Sequence, residues 1–294
     1  MKTLPIALLL TLAFGTAAAA VHAQDSKWSE ISKDAISLYE KGEYGRAVAA
    51  VKQSLAMAEK ALGPNHPNTA TSLNNLAELY RGYHRYAQAE PLYKRSLAIR
   101  EKYFGPSHAL VATSLNGLAE LYRAEGRYAE AEPLYKRALA IREKAHSPTH
   151  PNATQTLSNL AELYCIQGQY ASARPLYERL LPIREKALGP DHPNVATGVN
   201  NLALIYHSQN QYAQAEPLYQ RALTIRQKTL GLDHPDVGRD LSNLAELYRI
   251  QGQYAQAETF YERSLTVFEK GHGSHHLNLA TSLSNLAFIY HSRG

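Results

Sequence analysis

The chain repeats itself every 42 residues. The loop Leu62-Gly63-Pro64-Asn65-His66-Pro67 returns at 104–109, 146–151, 188–193 and 230–235 and, degraded, at 272–277, with histidine at 66, 108, 150, 192, 234 and 276. Self-similarity at this spacing builds a solenoid of stacked supersecondary units, each burying its apolar face on the next. A chain of this kind presents a long surface and has no single central pocket. Binding is its expected work.

One repeat shows how the unit is made. Leu73, Leu76, Ala77 and Tyr80 fall at i, i+3, i+4 and i+7, the apolar stripe of an amphipathic helix. Pro67 suits the first turn, where its missing N–H costs nothing. The stripe stops near Gly82 to Arg85, where other repeats place Gly126, Gly168, Asn210 or Gly252, residues that tolerate a left-handed turn. A second stripe follows through Tyr86, Ala89, Leu92, Tyr93 and Leu97. The unit is helix, short turn, helix, longer loop. Recurrent alanines (77, 119, 161, 203, 245 and 287 on first helices; 89, 131, 173, 215 and 257 on second helices) let helices approach closely. The tyrosines of the stripes are expected to pack, with hydroxyls at the rim.

The first 23 residues do not share the repeat. Lys2, an apolar run from Leu4 to Phe14 and small residues at 17–20 make a secretory leader, with cleavage expected before Gln24. The competing reading is a signal anchor, although Pro5, Gly15 and Thr16 interrupt the roughly 20 apolar residues a span needs. The mature chain has no membrane span, and a secreted, periplasmic location is expected. Loss of Lys2 lowers the formal charge from +5 to +4. Charges on the second helices, such as Lys94-Arg95 with Arg100-Glu101-Lys102 and Lys136-Arg137 with Arg142-Glu143-Lys144, are mixed in sign, as on a solvated face. No basic groove with aromatic partners marks a nucleic-acid site. Cys165 is the one cysteine, so no disulfide forms within the chain.

The segments "LGPDHPNVAT", "NNLA" and "YAQAEPLYQRALTIRQK" are similar to the 42-residue form of the tetratricopeptide repeat found in kinesin light chain. The resemblance is strongest from Thr69 to Lys270. It implies an all-α, right-handed superhelical solenoid over residues 24–294: repeats at 27–61, 69–103, 111–145, 153–187, 195–229 and 237–271, then a half repeat at 279–294. It fixes fold more than function, because such scaffolds serve many partners.

Asn75, Asn159, Asn201, Asn243 and Asn285 hold one position on successive first helices, with Gly117 breaking the series. The resemblance places this position on the concave groove, where similar asparagines bond the backbone of an extended peptide. An amide suits that task, since it offers both donor and acceptor. The other reading has these amides bonding one another between helices. Asn74, Asn116, Asn200, Glu78, Arg81, Arg123, Leu204 and Arg249 share the face. Alternating Glu and Arg argue against a polyanionic ligand, and Leu204 offers an apolar anchor.

The in-register histidines lie one to a repeat, so they do not surround a metal, and they are expected to cap helices or brace loops. The closer trio His272, His275 and His276 lacks a fourth fixed donor. No cofactor and no enzymatic activity are expected. Cys165 stands where other repeats have arginine and is read as an inert thiol. The leading expectation is a scaffold that binds a protein or peptide partner in its groove. The alternative is an architectural subunit of an envelope complex that uses its convex face or ends. Leu286, Phe288, Ile289 and Tyr290 on the terminal half repeat keep the apolar pattern of an internal one, which points to association through residues 279–294, most simply as a homodimer, against the alternative of a frayed, truncated end. Pro182, deep in a second helix, is expected to bend it.

Overall fold

Each loop histidine turns the chain into a helix. Nδ1 of His66, His108, His150, His192 and His234 accepts the backbone N–H two residues ahead (Asn68, Leu110, Asn152, Asn194 and Asp236) at 3.1–3.2 Å. The imidazole therefore does the work usually given to Ser or Asp at an N-cap, satisfying one of the orphan amides of the first turn. Prolines 67, 193 and 235 sit at the first helical position.

This computed structural model describes residues 31, 34–35, 37–272 and 277–293. The leader expected at residues 1–23, His275 and His276 lie outside them, as does the His272 side chain. Two compact units divide the chain, Met1–Asn159 and Leu160–Gly294. The first holds α1 (Tyr44–Leu62), α2 (Pro67–Gly82), α3 (Tyr86–Phe104), α4 (Ala109–Ala124) and α5 (Tyr128–Ala145). The unit boundary falls inside α6 (Pro151–Ile166). The second holds α7 (Tyr170–Leu188), α8 (Pro193–Ser208), α9 (Tyr212–Leu230), α10 (Pro235–Ile250), α11 (Tyr254–His272) and α12 (Leu277–Arg293). Within each unit every helix packs on the next in sequence, the expected helix–turn–helix repetition. Among the described residues all regular structure is helical.

The short turns inside a repeat need one left-handed residue. Glycine supplies it at 126, 168 and 252, while His84 (φ 57°) and Asn210 (φ 59°) adopt the same backbone. Alanines 77, 119, 161, 203 and 245 and alanines 89, 131, 173, 215 and 257 are fully buried, so the close approach expected of them is realised. Leu73 with Ile99, and Val111 with Leu115 and Ile141, anchor the first unit. Val237, Leu241, Leu247 and Ile289 belong to one continuous cluster in the second.

Two expectations are corrected here. The tyrosines at 93, 135, 219 and 261 are fully buried, hydroxyl included, whereas those at 122, 206 and 248 carry the rim hydroxyls, which donate to Glu90, Glu178 and Glu216 of the adjoining second helix. The charged second-helix face is also not uniformly solvated. Lys94, Arg95, Lys102 and Lys136 are exposed and Arg137 is half-buried, but Arg100 and Arg142 are buried. As for Pro182, α7 runs unbroken from Tyr170 to Leu188 through it. Among the described residues no helix is long and apolar enough to cross a membrane.

Candidate peptide-binding face

The first helices carry the predicted ladder, and its chemistry differs between the two units. In the first unit Asn74, Asn75, Asn116 and Asn159 are buried. Glu120 on α4 gathers the neighbours. It accepts Nδ2 of Asn116 at 2.8 Å and of Asn159 at 2.9 Å and pairs with Arg81 at 3.0 Å, while Arg81 also bonds Glu78 at 2.7 Å. Gln155 Nε2 donates to Asn159 Oδ1 at 2.9 Å, and Thr156 Oγ1 to Asn116 Oδ1 at 3.2 Å. Burial pulls on the Arg81 guanidinium, but Glu78 and Glu120 outweigh it and hold the charge well above its ordinary range. Asn74 Oδ1 is buried without a hydrogen-bond partner. Arg123 lies beside Tyr135 on the same face.

In the second unit the ladder is more open. Asn201, Asn243 and Asn285 are half-buried, and each spends one N–H inside the protein: on Tyr177 Oη at 3.0 Å, Asn200 Oδ1 at 2.9 Å and Tyr261 Oη at 2.9 Å. Arg249 forks onto Glu246 at 2.6 and 2.8 Å and lies over the Phe288 ring at 5.2 Å. Leu204 is exposed on this face. His207 hydrogen-bonds Tyr219 Oη at 3.2 Å, and burial lowers its pKa. Burial likewise raises the Cys165 thiol to about 11, so the thiolate is scarce and the residue is not an activated nucleophile. Between α10 and α12 the face dips into a cavity of about 390 Å³, lined by Asn243, Glu246, Tyr261 and Asn285 among others.

The terminal residues proposed for association separate into two groups. Leu286 and Ile289 point into the core of the second unit. Phe288 and Tyr290 are exposed, together with Leu283.

The sequence reading missed the buried guanidiniums. Arg100 Nη1 donates to Leu110 O at 3.0 Å and Ser114 Oγ at 2.9 Å, and Nη2 to Thr71 Oγ1 at 3.3 Å. Arg142 reaches Asn152 O at 2.9 Å and Thr156 Oγ1. Arg226 reaches Asp240 and, at 3.1 Å, Thr197 Oγ1. In all three a side-chain acceptor on the next first helix lies 14 residues ahead. Burial draws Arg100 and Arg142 down to about 10, since most of their hydrogen bonds go to neutral groups. Burial also pushes the Asp240 carboxyl up to about 7, against the pull of Arg226. The signal was present: arginine recurs at 100, 142, 184 and 226, next to the apolar 99, 141, 183 and 225, in register with a small or polar residue 14 positions on.

A family model described as tetratricopeptide repeat matches residues 35–102, 84–144, 152–228, 198–270 and 241–294. The kinesin light chain TPR-like repeats of Podosopora anserina are similar over 71% of this chain and 99% of theirs, at 29% identity and a TM-score of 0.63. BtubC (BKLC) of P. vanneervenii is 23% identical over 79% of this chain and 94% of its own, with a TM-score of 0.66. PilF of Pseudomonas aeruginosa shares the fold at 15% identity, covering 90% of this chain and 99% of that one, with a TM-score of 0.62. No curated protein matches the sequence.

Proposed function

The chain belongs to the tetratricopeptide repeat family, whose fold is generally a scaffold for protein–protein interaction, and from that premise we propose that its first-helix face binds an extended segment of a partner protein. The observation that supports this reading is the half-buried ladder of Asn201, Asn243 and Asn285. Each amide is oriented by one internal hydrogen bond and keeps an Oδ1 and a second N–H for a ligand. Such groups can answer the N–H and C=O of a strand-like backbone whatever its side chains. Leu204 and Phe288 add apolar contact, and Arg249 and Glu246 of opposite sign disfavour a highly charged ligand of either sign. The rival reading, an architectural subunit, leaves the face empty and uses the convex side or the ends.

Crosslinking in cells separates the two. The native chain captures a partner that Asn201→Ala/Asn243→Ala loses; capture unchanged by the double substitution favours the architectural role. Export to the periplasm is part of the proposal, and N-terminal sequencing of periplasmic material should begin at Gln24.

A second reading rests on Leu283, Phe288 and Tyr290, which are about half exposed on α12 (51%, 48% and 52%), whereas Leu241 and Tyr248, at the matching positions of α10 to Leu283 and Tyr290, are buried. We propose that a second copy covers them. Leu283→Asp should convert a dimer to a monomer by light scattering at tens of micromolar. A native monomer at that concentration removes this reading. Ile289 does not serve for this test, because it is fully buried.

A further inference from the structure

The cavity between α10 and α12 lies where the repeat elsewhere seats a guanidinium. Arg100, Arg142 and Arg226 each cross from a second helix to a hydrogen-bonding side chain 14 residues ahead: Ser114, Thr156 and Asp240. In two of them the other Nη reaches a threonine on the preceding first helix, Thr71 or Thr197. On α11 the corresponding residue is Phe268. Its ring is fully buried against Gly238, where a Cβ would come within 2.9 Å of it, and it has no donor with which to bridge to the next first helix. The acceptor 14 residues on is still present. Ser282 is buried and bonded to Ser242 at 3.4 Å, a long contact for two hydroxyls. Phe268 and Ser282 both line the cavity of about 390 Å³, at the lower end of the range for small-ligand pockets.

We infer that this cavity is a subsite for the guanidinium of an arginine carried by the bound segment, which supplies from outside the group that the other repeats supply from within. The inference rests on the groove reading above. Acceptors surround the cavity. Glu246 takes three donors, Arg249 Nε, Arg249 Nη2 and Tyr261 Oη, and a carboxylate has about four acceptor sites, so one is left. Ser242, Ser282 and Asn285 Oδ1 add neutral acceptors, the kind of partner on which Arg100 already rests. Arg239 also lines the cavity, but its side chain is half exposed and tied to Asp236 at 2.8 Å, so its repulsion is largely screened. The guanidinium is the cation suited to such a place. It is planar, weakly hydrated and carries five donors in a fixed fork.

The test uses the full chain and fluorescein-labelled Ala-Ala-Xaa-Ala-Ala amides with arginine, lysine, citrulline, leucine or glutamate at the centre, read by anisotropy. Arginine should bind at least tenfold more tightly than citrulline, leucine or glutamate, with lysine between. Arg239→Ala should tighten the arginine peptide about threefold, whereas an anion subsite would lose affinity. Phe268→Arg restores the internal guanidinium and should weaken the arginine peptide at least tenfold. Ser282→Val is the second variant should that one fail to fold, and it should weaken the same peptide alone. Equal binding of all five peptides, lost in Asn201→Ala/Asn243→Ala, overturns the subsite and leaves the groove standing. Absence of binding by all five overturns the subsite too, and unchanged cellular crosslinking in that double variant then takes the groove reading with it.

Discussion

The same ladder is closed in one unit and open in the other. From α2 to α6 it is buried, with Asn159 bonded into the ion network of Glu78, Arg81 and Glu120, whereas on α8, α10 and α12 it is half-buried beside Leu204, Phe288 and a cavity. The backbone plan is shared, so the difference comes from a few side chains. Arg81 pairs with Glu78 on its own helix and also crosses to Glu120 on the next first helix, so charges span that gap. Arg249 pairs with Glu246 in the same way, but on the next first helix it meets the Phe288 ring in place of a carboxylate, and Leu204 holds the glutamate position on α8. The buried arginines differ in the same direction. Arg100 and Arg142 rest on hydroxyls and carbonyls, Arg226 rests on a carboxylate, and the equivalent Phe268 is not a cation. A repeat can therefore keep its packing while the polar groups behind its face are exchanged, and that exchange sets how much of the face is left for a ligand.

The largest expected effect comes from removing the acceptors of the two kinds of buried arginine. At pH 8, above the value of about 7 for its carboxyl, Asp240→Ala leaves Arg226 buried without its counter-charge and should cost about 3–5 kcal/mol. Ser114→Ala removes one neutral acceptor and leaves Arg100 with Leu110 O and Thr71 Oγ1, at a cost of about 1–3 kcal/mol. Urea denaturation of the two variants measures both. Equal losses would mean that the two guanidiniums are held equally, and the contrast between the units would lose its electrostatic half.

The sequence conveyed the architecture because stacking is local. A period of 42, two apolar stripes and small residues at fixed places dictate which helix meets which, and no long-range pairing had to be guessed. The histidine caps were legible for the same reason, since cap and capped amide are two residues apart. The arginines were not. Read on one helix, Arg100 stands beside Glu101 and Lys102 and looks solvated; only the neighbouring repeats bury it, and its partners Thr71 and Ser114 are 29 and 14 residues away. The ladder was half legible. Its position on one face followed from spacing, but the burial of Asn75 and Asn159 and the partial exposure of Asn243 depend on what crosses the gap from the adjacent first helix. The split of the terminal residues, Leu286 and Ile289 inward and Phe288 and Tyr290 outward, required the helix to be packed.

A smaller effect sharpens the comparison through pH. The folded-state pKa of Asp240, about 7, lies above the ordinary aspartate value of about 3.9, so the folded chain holds this proton more tightly than the unfolded one. Its contribution to stability is then full below about pH 4 and is lost as pH rises through 7. The Asp240→Asn substitution puts in place an amide that is isosteric with the neutral acid and cannot titrate. Stability of the native chain relative to that variant should therefore fall by about 1–2 kcal/mol between pH 6 and 8. Ser114→Ala, in the unit whose arginine faces a neutral hydroxyl, should show no such slope against the native chain. A flat difference for Asp240→Asn would mean that Arg226 holds the carboxylate charged throughout the range.

The smallest effect asks whether the two units also differ in their loops. His108 and His192 cap α4 and α8 in the same way, through Nδ1 at 3.2 and 3.1 Å from an amide N–H. Alanine at either place should cost about 1 kcal/mol, the usual worth of an N-cap. Asparagine can accept the same amide and should restore the cap. The two sites are not equivalent beyond that bond. The His108 ring stacks on Phe104, centroids 4.3 Å apart and planes 13° from parallel, whereas the residue matching Phe104 before His192 is the exposed Leu188. His192→Asn should therefore recover nearly all of the alanine loss. His108→Asn should recover the cap and leave the ring contact missing, a deficit of about 0.5–1 kcal/mol. Thermal denaturation of the four variants gives the comparison. Full rescue at both sites would show that the stacked ring adds nothing and that the loops of the two units are alike, leaving their difference to the helix faces.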